Sequence, residues 1–287
     1  LRISGRTRLC AVIGDPIEHS LSPCIHNAAF RHLGLDYVYV AFRVRIDELG
    51  EAISGMRALG IRGLNVTMPH KIRVIDYLDR LDENARNVGA VNTILNEDGI
   101  LIGYDTDGVG ALNSIRTVTE DLEGKKLVVL GAGGASRAIS FTLASEVGEL
   151  VILNRTVSRA RELAERINRA TERCVRWGEL SRQTLKRELE DADILINATS
   201  VGMHPNSNET PVDKELLRAD LTVFDLVYNP LETRLLREAR NVGAKTIDGL
   251  TMLVHQGAVS FKIWTGIEPP VDLMMKAARE ELKKRSE

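Results

Sequence analysis

Residues 65 to 71 read Asn-Val-Thr-Met-Pro-His-Lys, directly after the stretch Ile-Arg-Gly-Leu. Asn65, Thr67, His70 and Lys71 all carry hydrogen-bonding groups, and Lys71 is a cation. A segment that only reversed the chain would be built from Gly, Asp or Ser. Asn65 and Thr67 are two apart, so at the end of a strand both face one side. Pro69 fixes the turn that brings Lys71 back towards that face. Such a set can hold a small polar molecule and offer it both a charge and a proton. His70 is the other candidate acid–base group, because imidazole titrates near neutrality. It ranks below Lys71, since adjacent residues need not face the same way. Taken alone, Lys71 also reads as a solvated lysine at the start of a helix.

Three further loops carry similar loads. In Gly-Asp-Pro-Ile-Glu-His-Ser-Leu-Ser-Pro (14–23), Ser20 and Ser22 stand just before a helical segment. Two hydroxyls at a helix start suit a carboxylate, and Ser22 also reads as a simple N-cap. Asn92 follows a small-residue turn in Gly-Ala-Val-Asn-Thr (89–93), and Asp107 precedes a glycine in Asp-Thr-Asp-Gly (105–108). Each is an ordinary turn by itself. Together they put four polar loops at apparent strand ends, which is where parallel α/β sheets bind ligands.

Leu-Val-Val-Leu-Gly-Ala-Gly-Gly-Ala-Ser-Arg-Ala (127–138) runs from an apolar strand through a glycine turn into a helix. Gly131 and Gly133 hold the first two places of a dinucleotide fingerprint, and Ser136 takes the third. The first glycine permits the tight turn, and the second lets the backbone approach a diphosphate at the helix N-terminus. The other reading is a strand–helix turn that binds nothing. The next strand ends on Asn154, followed by Arg155, Thr156 and Arg159. A free ribose 2′-hydroxyl usually meets an acid there, whereas guanidinium forks suit a 2′-phosphate. NADP is therefore favoured over NAD. The competing reading is a Thr156 helix cap followed by surface arginines.

The elements that must position these groups alternate. Residues 8–14, 37–42 and 61–66 read as strands, and 23–34 and 47–58 as helices, with Gly34 stopping the first. This order predicts a mostly parallel sheet covered by helices. A second series starts near residue 125, with strands at 149–155, 192–199, 221–228 and 244–249 and a charged helix at 157–169. Helices follow at 252–264 and 271–284, and they are expected to fold back on the first domain. The domain boundary is expected within 105–115.

The composition agrees with an ordinary two-domain chain. It has 287 residues, 44% of them hydrophobic, with 38 basic residues against 40 acidic. Aromatics are 4%, and no basic stripe stands out, which argues against nucleic acid. Cys10, Cys24 and Cys174 are scattered without a CxxC pair, and the histidines form no HExxH, so no metal site is expected and a reducing cytoplasmic location is. No apolar run is long enough for a membrane span, and no leader is apparent at the start. The oligomeric state is open, with a homodimer allowed.

The motifs, in order, resemble those of the shikimate dehydrogenase (shikimate/quinate dehydrogenase) family: HSLSPCIHN, NVTMPHK, GAVNT, GAGGASRA, NRTVSRA, INATSVGM, DLVYNP and DGLTMLVHQ. The resemblance spans about residues 8 to 265. It implies an α/β fold of two domains: a discontinuous substrate-binding domain (1–107 and 250–287) and an NADP-binding Rossmann domain (108–249). It implies reversible reduction of 3-dehydroshikimate to shikimate by NADPH, in the biosynthesis of chorismate and aromatic amino acids. Lys71 and Asp107 match the catalytic pair. Ser20 and Ser22, with Tyr228 nearby, match the carboxylate site. Asn65, Thr67, Asn92 and Gln256 match groups that bind ring hydroxyls or orient the lysine. Gly131, Ala132, Gly133, Gly134, Ala135 and Ser136 match the cofactor loop, and Asn154, Arg155, Thr156 and Arg159 the 2′-phosphate clamp. Thr199, Leu226, Gly249 and Met252 match the nicotinamide side. Two positions depart: Asp105 stands where the family usually has Asn, and Thr251 where it has Gly.

Hydride transfer to a ketone leaves negative charge on oxygen, which a neighbouring ammonium stabilises and protonates. Two alternatives remain beside this enzyme: a relative that also accepts quinate or NAD, and a dinucleotide-binding regulatory protein without turnover.

Overall fold

The computed structural model describes residues 3–286; the sequence-based domain limits at residues 1 and 287 lie outside the described residues. The chain forms two compact units, Leu1–Thr106 with Val254–Glu287, and Asp107–Leu253.

Unit 1 contains β1 (Arg8–Gly14), α1 (Ser22–His32), β2 (Tyr37–Arg43), α2 (Leu49–Ala58), β3 (Gly63–Val66), β4 (Arg80–Leu81), α3 (Glu83–Val88), β5 (Thr93–Glu97) and β6 (Ile100–Tyr104). Gly34, at φ +63°, follows the end of α1 in the left-handed conformation expected of a stop. The sheet order is β2-β1-β3-β5-β6-β4. β1 pairs in parallel with β2 and β3, but β5 pairs antiparallel with both β3 and β6. β4 pairs in parallel with β6, so β5 alone runs against the other strands and the sheet is mostly parallel, as the order of apolar runs predicts. The cause of the one reversal is local. Asp98 (φ 50°) and Gly99 (φ 92°) both adopt left-handed backbone, which closes a tight hairpin between β5 and β6.

Unit 2 opens with α4 (Asp107–Arg116) and continues with β7 (Lys126–Leu130), α5 (Gly134–Ala144), β8 (Glu149–Asn154), α6 (Val157–Thr171), β9 (Arg176–Glu179), α7 (Arg182–Leu189), β10 (Ile194–Asn197), β11 (Thr222–Asp225), α8 (Arg234–Asn241) and β12 (Lys245–Ile247). The six strands are all parallel in the order β12-β11-β10-β7-β8-β9. This is the doubly wound Rossmann order, and its direction of winding reverses between β7 and β10. The central strands are buried along their length, which is why they read as unbroken apolar runs.

Two helices close the chain, α9 (Gly249–Thr265) and α10 (Val271–Ser286). From Val254 onward they belong to unit 1. Gln256, Ser260 and Trp264 are four residues apart on α9 and share one face. Trp264 Nε1 donates to the Ile94 carbonyl at 3.0 Å. A Cβ on Gly63 would lie 2.5 Å from the Trp264 ring, so only glycine lets β3 approach this helix.

Candidate active site

In unit 1, the parallel pairing of β3 with β1 continues past the strand end. Thr67 N–H donates to the Ile13 carbonyl at 3.0 Å, and Asp15 N–H donates to the Met68 carbonyl at 3.0 Å. The Asn65–Lys71 loop is thus seated on the loop after β1. A Cβ on Gly14 would lie 2.4 Å from the Thr67 methyl, so this glycine makes room for Thr67. Lys71 is half-buried, and its carbonyl accepts Val91 N–H at 2.8 Å. His70 is fully buried, with Nε2 2.7 Å from the Val44 carbonyl. Its ring serves the fold, consistent with its lower rank as an acid–base group.

The β3–β5 register sets Asn65 opposite Thr93. Asn65 Nδ2 lies 3.1 Å from Thr93 Oγ1, from Ser260 Oγ and from the Asn92 carbonyl. Its Oδ1 accepts from the Tyr39 hydroxyl at 2.7 Å. Asn92 is the second hub. Its Oδ1 accepts from Thr106 N–H at 2.9 Å and from Thr93 Oγ1 at 3.0 Å. Its Nδ2 donates to Thr106 Oγ1 at 3.0 Å and to Gln256 Oε1 at 3.4 Å. Thr93 and Ser260 hydroxyls lie 2.8 Å apart. The sequence reading of Asn65, Asn92 and Gln256 is thereby one connected set. Tyr39, Thr93, Thr106 and Ser260 were missed. The four-residue spacing of 256, 260 and 264 was the available signal for Ser260.

Ser22 is not an N-cap. The helix is already formed at Ser22, Leu21 occupies the cap position, and no side chain caps it. Ser20 Oγ instead accepts Ser22 N–H at 3.3 Å. Ser22 is buried and its hydroxyl interacts with the Tyr39 phenol. Asp105 and Asp107 are both buried, and Asp107 is the first residue of α4. The Asp105 carbonyl accepts from Asn84 Nδ2 at 3.0 Å.

In unit 2, the glycine turn sits at the C-terminal end of β7. Gly131 has φ +107°, and a Cβ there would lie 3.0 Å from the Ala198 carbonyl oxygen. Both restrictions demand glycine. Cβ atoms on Gly133 or Gly134 would meet nothing within 4 Å, which leaves the backbone open to a ligand at the start of α5. Ser136 Oγ donates to the Gly131 carbonyl at 2.6 Å and braces the turn. That explains a serine in the third fingerprint place.

Asn154 ends β8, and its Nδ2 donates to the Thr156 carbonyl at 2.9 Å. Thr156 occupies the N-cap position of α6 but makes no side-chain cap bond. Arg155, Thr156 and Arg159 are exposed. Neither arginine belongs to an ion pair among the described residues, so neither must break one to take a phosphate.

The remaining positions cluster after β10 and β11. Asn197 Oδ1 accepts from Thr199 Oγ1 at 2.6 Å and from Thr199 N–H at 3.1 Å. The Asn197 carbonyl accepts Leu226 N–H at 3.0 Å. Asn197 Nδ2 donates to Asp225 Oδ1 at 2.9 Å, which also accepts Val227 N–H at 3.1 Å. Asp225 Oδ2 accepts from Thr233 Oγ1 at 2.7 Å. Burial pushes Asp225 up to about 6 against these hydrogen bonds. Tyr228 is half-buried in the loop after β11. A Cβ on Gly249 would lie 2.4 Å from the Leu226 carbonyl oxygen, and Met252 is buried on the first turn of α9. Thr251 N–H and hydroxyl both donate to Asp248 Oδ1, at 2.8 and 2.7 Å. The threonine found where the family has glycine is thus turned to the helix cap. No group of acidic, cysteine or histidine residues among those described could hold a metal ion. No helix among the described residues is long and apolar enough to cross a membrane.

A Rossmann unit with an open glycine turn, together with a mixed α/β unit holding a buried polar network, defines a two-domain α/β protein of the dinucleotide-binding class. Residues 12–94 match the shikimate dehydrogenase substrate binding domain, 113–252 the shikimate / quinate 5-dehydrogenase family, and 249–279 the shikimate 5'-dehydrogenase C-terminal domain. The chain belongs to the shikimate dehydrogenase family. It is 49% identical over 288 residues to the shikimate dehydrogenase (NADP(+)) of Methanocaldococcus jannaschii, covering 98% of this chain and 100% of that one. A crystal structure of a shikimate dehydrogenase in complex with NADP+ superimposes with a TM-score of 0.93 at 48% identity, covering 98% of each chain. That of the Thermus thermophilus enzyme in complex with NADP(H) and shikimate gives 0.86 at 38% identity, covering 95% of this chain and 99% of that one.

Proposed function

We propose that this chain is an NADP-dependent shikimate dehydrogenase, which interconverts 3-dehydroshikimate and shikimate. The observation that carries the reading is near-half identity over essentially the whole chain to a relative of that name. The geometry of unit 2 fits the cofactor: open glycines at the start of α5, and two exposed guanidiniums with no acid at the end of β8. Gly131 to Ser136 hold the diphosphate, and Asn154, Arg155, Thr156 and Arg159 hold the 2′-phosphate. Thr199, Leu226, Gly249 and Met252 flank the nicotinamide. NADPH supplies the hydride.

On the substrate side, Ser20 and Ser22 take the carboxylate, with Tyr228 assisting. Asn65, Thr67, Asn92 and Gln256 take ring hydroxyls. Lys71 is the proton donor. Its ammonium stabilises the charge that develops on the carbonyl oxygen and passes one proton to it, leaving an alcohol and a neutral amine that solvent reprotonates. Asp107 completes the catalytic pair, holding Lys71 in place and sharing the ring hydroxyl. In the oxidative direction the proton returns to the neutral amine.

The same reading places the reaction in the cytoplasm, in keeping with three free thiols, and allows a homodimer. The testing experiment measures oxidation of shikimate and of quinate, each with NADP and with NAD, by the absorbance of the reduced nicotinamide. Fast turnover of shikimate with NADP is expected. No turnover with any pair overturns the enzymatic reading, and preference for quinate or NAD favours the broader relative.

A further inference from the structure

Tyr39 lies in the interior of unit 1, 1% exposed. Its ring stacks on His26, with centroids 4.4 Å apart at 12°, and tilts against Trp264 at 5.9 Å. The hydroxyl projects out of this aromatic stack and donates to Asn65 Oδ1 at 2.7 Å. The Ser22 hydroxyl interacts with the same phenol oxygen. One oxygen therefore joins a residue assigned to the substrate carboxylate with one assigned to its ring hydroxyls.

The donor and acceptor roles on this oxygen are fixed by chemistry. An amide carbonyl oxygen only accepts, so the phenol must keep its proton and give it to Asn65. Burial raises the phenol well above its ordinary range, so it stays protonated. Burial also holds His26 neutral, so the imidazole below the ring brings no cation that would draw the proton off. With Oδ1 committed to Tyr39, Asn65 Nδ2 must face Thr93, Ser260 and the Asn92 carbonyl. The phenol thereby selects one of the two amide orientations of Asn65, and so the pattern of donors and acceptors offered to a ligand.

We propose that Tyr39 is a positioning residue for substrate recognition, acting through Asn65 and Ser22 without touching the substrate. This rests on the substrate-side assignment of those two residues. The test compares wild type with Tyr39→Phe, which keeps the ring and deletes only the hydroxyl. Tyr39→Met, which fills similar volume without a donor, serves as the second variant. KM for shikimate, KM for NADP, kcat and thermal midpoint are measured for each. Wild-type turnover of shikimate first establishes the underlying reading; its absence overturns both. Given that turnover, KM for shikimate is expected to rise about 5–20-fold in either variant that folds, as loss of one buried hydrogen bond implies, while KM for NADP stays within twofold. A lowered thermal midpoint with KM for shikimate unchanged in the folded variants assigns Tyr39 to packing alone and overturns the proposal. If neither variant folds, the Tyr39 hydroxyl serves the folding of unit 1 and the proposed role in substrate recognition is overturned.

Discussion

In unit 1 the polar residues assigned to the substrate are bonded to one another in the interior, through Asn65, Asn92, Thr93, Thr106 and Ser260. In unit 2 the groups assigned to the dinucleotide are backbone N–H groups beside open glycines and exposed arginines. A small polyol must be read by side chains in a fixed pattern, and each of those side chains needs its own support. A diphosphate is satisfied by a helix N-terminus and a turn, so the chain needs little beyond the absence of Cβ atoms. Changes in the first unit should therefore disturb both folding and substrate binding. Changes at the exposed positions of the second should affect cofactor binding alone.

The two units also bury opposite titrating groups. In unit 1, burial depresses His26 from 6.5 to about 3. The unfolded chain binds a proton below pH 6.5 and the folded chain does not, so this contribution to stability is lost as pH falls from 6.5 towards 3. The full loss is about 5 kcal/mol, from the size of the depression. His26→Phe should remove this part of the acid response of unit 1 and leave only that of its carboxylates. Hydrogen exchange of unit 1 amides against pH measures this directly, and an unchanged acid response in the variant would put the titration elsewhere.

Next in size is the proton donor. Lys71→Met should lower kcat by about 10²–10⁴-fold with KM for NADP unchanged. A variant with near-normal kcat removes Lys71 from the chemistry and leaves it as a surface lysine of the loop.

Asp225 tests the comparison with the opposite sign. Its folded pKa, about 6, lies above the ordinary 3.8 because of burial. Between those values the folded chain holds a proton that the unfolded chain has released. Its contribution is full below 3.8 and is lost as pH rises through 6, a change of about 3 kcal/mol. Asp225→Asn retains an oxygen for Asn197 and Val227 and an amide for Thr233, but it cannot titrate. Unit 2 amides should then lack the protection that wild type gains on acidification from pH 6 to 4. Equal gains in both proteins would contradict the assignment.

How far these features could be read beforehand follows the same division. The central strands of unit 2 are buried on both faces and appear in the sequence as Leu-Val-Val-Leu or Ile-Leu-Ile-Asn, so they and the glycine turn were legible, whereas the mostly exposed β9 was not. The mostly parallel sheet of unit 1 was legible apart from its one reversed strand, β5: residues 93–104, which form β5 and β6, were taken only as loop flanks. The Asp98-Gly99 pair was the overlooked hairpin signal. The polar network was half legible. Asn65, near the end of β3, and Asn92, just before β5, belong to conspicuous polar motifs, but Tyr39, Thr93 and Ser260 look by type and spacing like ordinary packing. Ser22 reads both as a carboxylate ligand and as a helix cap, because Ser before Pro has that form; the structure puts Leu21 at the cap position and leaves Ser22 buried within α1. Asn197 and Asp225 tie the loops after β10 and β11 to one another by a long-range bond that no local pattern encodes.

Arg155→Ala probes the exposed side of the comparison. A charge-assisted bond to the 2′-phosphate implies about a 10–100-fold weaker Kd for NADP. Binding of NAD and the thermal midpoint should barely move, because Arg155 is exposed and has no ion pair among the described residues. Equal weakening of NAD and NADP by calorimetric titration would contradict the 2′-phosphate role.

The smallest expected effect concerns Thr251, which sits where the family usually has glycine yet belongs by its contacts to the cap of α9. Thr251→Gly deletes the hydroxyl bond to Asp248 but keeps the N–H bond, and it adds the backbone entropy of glycine in the first turn. About 1 kcal/mol of stability should be lost, read as a small drop in the denaturation midpoint. KM for NADP should stay within twofold, since the side chain is committed to Asp248. A larger change in KM than in stability would mean that residue 251 faces the nicotinamide after all, and cofactor recognition in unit 2 would then depend on a side chain held by the fold, as it does in unit 1.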